Sequence, residues 1–124
     1  MGKSINKMDK EALYEQRYEA LLQKYLRQLQ ERLNNLTSYW QEATEATNDI
    51  ELLLEKLENT RSLAHGIAGS GETFGFSHVT ENGRRLEQAL IEEINRRKHD
   101  NSQAGQSLNR ISELVDTLVN NAPT

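Results

Sequence analysis

Apolar residues recur at steps of four and three through most of the chain. Leu22, Leu26, Leu29, Leu33, Leu36, Trp40 and Ala43 fall on one stripe of a helix. The spacing predicts this helix from near Asp9 to the cap-forming run Thr47-Asn48-Asp49. A second stripe follows at once, with Ile50, Leu53, Leu54, Leu57, Ala64 and Ala68, and reaches about Thr73 although Gly66, Gly69 and Gly71 lie inside it. Phe74-Gly75-Phe76 reads as the turn. Ser77 is the expected N-cap of a third helix, with Val79, Gly83, Leu86, Leu90 and Ile94 on its apolar side. Its end carries the cationic run Arg96-Arg97-Lys98, which suits a helix C-terminus. Asp100 to Gln103 read as a polar loop. Leu108, Ile111, Val115, Leu118 and Val119 mark a fourth helix that frays from Asn120.

Four amphipathic helices on short connections bury their stripes most economically as an all-α, antiparallel up-and-down four-helix bundle. The second helix is about 37 Å long at about 1.5 Å per residue, so only about 25 residues of the first run beside it. Residues 9–22, with Tyr14, Tyr18 and Leu21, therefore overhang, either bending over the bundle as a cap or pairing with another chain. The four Tyr and Trp40 lie on or beside the apolar stripe of the first helix and read as core. The whole chain, 1–124, is expected to be one domain, with 1–22 as extension and 23–121 as bundle.

Composition narrows the functions. Leu occurs 17 times and Val 3, a usage that favours helix over sheet. The net charge of -4 argues against nucleic acid or an anionic membrane as a partner. No apolar run exceeds three residues, so neither a spanning helix nor a signal-peptide core is expected. The absence of Cys removes thiolate chemistry and Cys-ligated zinc, and a reducing cytoplasm fits that composition.

One segment breaks the helical rules. Ala64 to Gly75 reads AHGIAGSGETFG, and each interior glycine costs about 1 kcal/mol relative to Ala. Gly71 is read equally well as the start of helix termination. Gly66 and Gly69 flank His65, and their missing side chains clear space beside the imidazole. His65 falls about 80° from the centre of the core stripe, at the rim, where one ring nitrogen meets solvent and the other reaches a neighbouring helix. His65 and Glu87 each stand ten residues from the hairpin turn, hence level with one another. Glu87 reads equally as the acceptor that orients the imidazole and as an ordinary exposed charge.

With those residues in hand, the segment resembles the histidine phosphotransfer (HPt) domain, most closely that of chemotaxis-type histidine kinases. The family pattern of His, an aliphatic residue two on, Gly at four, a small residue at six and Gly at ten falls on His65, Ile67, Gly69, Gly71 and Gly75. The turn Thr73-Phe74-Gly75-Phe76 is similar to chemotaxis-type members, and the acid they set 22 residues after the His falls on Glu87. Two positions depart from the pattern: Ala68 stands where members often carry Lys, and Arg84 where chemotaxis-type domains place a second His. Arg61 or Arg84 is the available substitute for the missing cation.

The resemblance implies that His65 is a phosphoryl acceptor in a two-component phosphorelay and that the chain is a carrier, not an enzyme. It needs no cofactor of its own; Mg²⁺ is expected on a response-regulator receiver domain. That partner would dock over Arg61, Ser62, Gly66, Gly69, Ser70 and Arg84, and a histidine kinase is the other expected partner. The competing reading is an adaptor or dimerisation bundle in which His65 is incidental. A metal enzyme fits poorly, because the residues three before His65, His78 and His99 are Ser62, Gly75 and Arg96 rather than the Glu of a di-iron bundle. His78 and His99 read as surface residues.

Overall fold

The computed structural model describes residues 7–99 and 105–123. Four helices follow in order: α1 (Lys7–Glu45), α2 (Ile50–Phe74), α3 (Ser77–His99) and α4 (Gly105–Asn120). Each packs against its neighbours in sequence and α4 returns to α1, closing an antiparallel four-helix bundle. The expected polar loop Asp100 to Gln103 lies outside the described residues.

The apolar stripes become one core. Leu29, Leu33, Leu36, Leu53, Leu57, Ile67, Leu86, Leu90 and Leu118 are all buried, and the indole N–H of Trp40 donates to Ser112 Oγ at 3.0 Å, tying α1 to α4. Asp49 caps α2, its carboxylate accepting from the Leu52 N–H at 3.2 Å. Ile50, assigned to the core stripe by its spacing, is exposed, because it stands at the first turn where α1 has ended.

The α2–α3 hairpin is the tightest part of the fold. Gly75 adopts a left-handed conformation (φ 79°), its N–H donates to Glu72 O at 3.2 Å, and the Phe76 N–H donates to Gly71 O at 2.8 Å. This pair of hydrogen bonds ends the helix in a left-handed backbone conformation that glycine adopts without strain. Because Phe76 O at once accepts the Thr80 N–H at 3.1 Å, Ser77 lies inside α3 rather than capping it. Gly71 supplies the carbonyl that accepts that closing bond from Phe76, and its missing side chain has a second role. A Cβ there would stand 2.9 Å from Val79 Cγ1 and 3.0 Å from Thr80 Oγ1, and one on Gly83 would stand 3.0 Å from Ala68 Cβ. These two glycines let α2 and α3 approach.

Two further placements differ from the sequence reading. The Arg96-Arg97 pair does more than complement the helix end: Arg97 is buried, and its Nε donates to the buried Glu93 carboxylate at 2.6 Å, which also receives Arg96 at 2.5 Å. Burial would raise the Glu93 pKa, but bonds from Arg97, Ser107 and Arg96 outweigh it and hold the carboxyl below its ordinary range. Of the aromatic side chains on α1, only Tyr25 and Trp40 are core; Tyr14 is 76% and Tyr18 55% exposed. Tyr25 marks the end of the bundle, stacked on Phe74 and Phe76 with centroids 4.4 Å and 5.4 Å away. Leu22, one turn before it, is the first residue of α1 to pack against the core, and residues 7–21 are exposed. The helix runs on unbroken to Lys7 with Leu13, Tyr14, Tyr18 and Leu21 exposed, so the overhang does not fold back as a cap.

Candidate functional site

His65 stands on the outer face of α2, and its side chain is 73% exposed. Its Nδ1 lies 2.8 Å from Glu87 Oε2 on α3, where the carboxylate is only 17% exposed. A carboxylate has no proton to give, so in the neutral ring Nδ1 carries the hydrogen and donates it. Nε2 is then the nitrogen with the lone pair, on an outward-facing ring. The antiparallel register places the two residues together because His65 lies ten residues before Gly75 and Glu87 ten residues after Ser77, where α3 begins.

Arg61 completes the inner side of this pair. Its Nη1 lies 3.6 Å from the same Glu87 oxygen, while its Nε donates to Glu58 Oε1 at 2.8 Å and its Nη2 bonds the same Glu58 oxygen. The bond from Arg61 holds the Glu58 carboxyl below its usual range, and Glu58 in turn raises the guanidinium. Arg61 is thus a structural counter-ion for two acids.

Around the ring the surface of α2 is thin. Gly66 and Gly69 are exposed, and a Cβ built on either meets nothing within 4 Å. Ser62 is exposed beside them. Ser70 is drawn the other way: its Oγ donates to Gly66 O at 2.9 Å and accepts from Arg32 Nη1 of α1 at 2.6 Å, leaving it half-buried in the α1–α2 seam. Arg32 was not singled out by its spacing, since a residue beside a stripe is assigned to solvent until cross-helix register is known. Arg84 is exposed on α3 and reaches across to Glu72, with Nη2 2.6 Å from Oε2. His78 and His99 are both exposed, away from this cluster.

The family model of the Hpt domain matches residues 20–121. The chain belongs to the Hpt family. The match spans the whole bundle and begins where the overhang ends, so all four helices, and not the glycine segment alone, carry the family pattern. Hpt domains are histidine phosphotransfer carriers of two-component phosphorelays, which work with kinases and receiver domains. None of the curated proteins or solved structures matches this Hpt domain significantly. No described helix is long and apolar enough to cross a membrane.

Proposed function

We propose that this Hpt domain accepts a phosphoryl group on Nε2 of His65 and passes it to the aspartate of a response-regulator receiver domain. The observation that carries the reading is the pairing of an exposed imidazole with a half-buried carboxylate behind it, 2.8 Å from Nδ1. The Nε2 lone pair attacks the phosphorus of a phosphoaspartate or of a kinase-bound nucleotide. The N–P bond forms, the P–O bond to the donor breaks, and the donor oxygen leaves with its electron pair. The ring becomes positively charged as the bond forms, and Glu87 lies where it compensates that charge through the Nδ1–H. On the return step the same proton makes the imidazole a better leaving group.

Phosphoryl transfer is mostly positioning and charge neutralisation. The bundle offers a nucleophile and its orienting acid; the receiver supplies Mg²⁺ and the acidic pocket. Ser62, Gly66 and Gly69 form the thin surface on which the partner backbone approaches, flanked by Arg61 and Arg84, with Ser70 at its α1 edge. The chemotaxis-type resemblance of the hairpin turn favours a donor kinase of that class, and the relay belongs in the cytoplasm with its receivers. Mixing the phosphorylated domain with isolated receiver domains and Mg²⁺ tests the reading. Phosphate moving from His65 to a receiver aspartate supports it; a domain that binds receivers and never exchanges phosphate points to an adaptor.

A further inference from the structure

We infer that Arg84 is the cation that pairs with the phosphoryl group on His65, and that Glu72 occupies it until phosphorylation; the inference rests on the carrier reading above. The register of α2 and α3 sets the geometry. Gly83 packs against Ala68 so closely that an added Cβ would stand 3.2 Å from the Ala68 backbone. Arg84, the next residue, therefore leaves α3 level with Ala68. That level is three residues, about 4.5 Å along α2, from His65 and four residues, about 6 Å, from Glu72. The guanidinium now inclines toward Glu72, and a turn toward His65 is no longer a reach.

The present pairing is weak enough to exchange. Arg84 is 58% and Glu72 64% exposed, and ion pairs at such exposure contribute about 0–1 kcal/mol. A phosphoryl group adds about two negative charges at neutral pH and offers oxygens that match a guanidinium fork. Glu87 already stands behind the ring, and Glu58 and Glu72, each two turns away along α2, hold Arg61 and Arg84. The new charge has to be met by a cation that is not committed. Arg61 is held by Glu58 and faces Glu87 on the inner side of the ring. Arg32 is engaged with Ser70, about 140° around α2 from His65 at about 100° per residue. Arg84 alone of these three combines level, exposure and an exchangeable partner.

The test uses the full chain phosphorylated with phosphoramidate, in which Nε2 attacks phosphorus, the P–N bond of the reagent breaks and ammonia leaves. Phosphorus NMR then follows the titration of the phosphoryl group. A neighbouring guanidinium favours its dianion, so Arg84→Gln raises the midpoint by about 0.5 pH unit, Arg84→Lys raises it less, and Glu72→Gln lowers it. Circular dichroism establishes that the variants keep their helices. Phosphohistidine that titrates identically in the parent and Arg84→Gln, or a midpoint that responds to Arg61→Gln instead, overturns the Arg84 assignment and leaves the carrier reading intact. A chain that takes no phosphoryl group on His65 overturns both.

Discussion

Replacing Gly66 and Gly69 together by alanine is expected to stabilise the domain and to impair its reaction with a receiver. Both lie inside α2, where glycine is less favourable than alanine by about 0.5–1 kcal/mol through backbone entropy. A methyl group at either position meets nothing within 4 Å, so no steric term opposes the gain. The double variant gains about 1–2 kcal/mol, read as a higher urea midpoint at unchanged slope and a melting temperature raised by about 5 °C. Gly71→Ala and Gly83→Ala have the opposite sign. Their methyl groups would stand 2.9 Å from Val79 Cγ1 and 3.0 Å from Ala68 Cβ, and overpacking of about 1–3 kcal/mol exceeds the helical gain. Gly83 is the harsher of the two, since the Ala68 backbone it meets at 3.2 Å does not rotate away. On the functional side, phosphoramidate still labels the Gly66/Gly69 variant at the parental rate. Transfer to a receiver slows by about tenfold or more, because a bulkier helix face displaces the docked partner. A double variant less stable than the parent refutes the packing argument, and a stabilised one that transfers at the parental rate refutes the assignment of this face to docking.

Glu87→Ala slows phosphoramidate labelling of His65 by about fivefold, the loss of about 1 kcal/mol from a partly exposed charge-assisted hydrogen bond; Glu87→Gln, which retains an acceptor without the charge, falls between, and equal rates in all three would contradict the orienting role. Glu93→Gln destabilises by about 3 kcal/mol in urea unfolding at pH 7, because Arg97 loses a buried partner. The depressed Glu93 pKa adds stability that is present above the unfolded carboxylate value of about 4.3 and lost as pH falls through the folded value. The difference between parent and variant therefore shrinks in acid, and a constant difference from pH 7 to pH 3 would count against it. Deleting residues 7–20 together with the segment before them changes the unfolding free energy by less than about 0.5 kcal/mol, since the described side chains among those removed, 7–20, are exposed; a loss above about 2 kcal/mol would show that the overhang is packed in solution.

Four helices, their order and most core positions were legible because a 3.6-residue period survives in a chain whose leucines lie mainly on one face of each helix. Tyr14 and Tyr18 were misread as core because periodicity reports which side of a helix is apolar and not whether another helix lies beside it. Arg97 was legible only as part of a cationic helix end: its partner Glu93 lies one turn earlier on the same helix, and periodicity does not show that the two are buried together. The His65–Glu87 pair was accessible from counting residues on either side of the turn, because a Gly75 hairpin fixes antiparallel register. The division of the glycines was not accessible. Gly66 and Gly71 have the same local cost, and what separates them is the position of Val79 and Thr80 on α3.

The central claim is that the His65 imidazole, exposed in front of Glu87, carries the phosphoryl group. Incubating the parent chain and His65→Gln with phosphoramidate, then mapping the modified residue by mass spectrometry after mild, neutral digestion, tests it directly. The account predicts one acid-labile phosphoryl group on His65 of the parent and none on the variant, with the helical content of both unchanged. Labelling that persists in His65→Gln, or falls on His78 or His99, which are also exposed, in preference to His65, contradicts it.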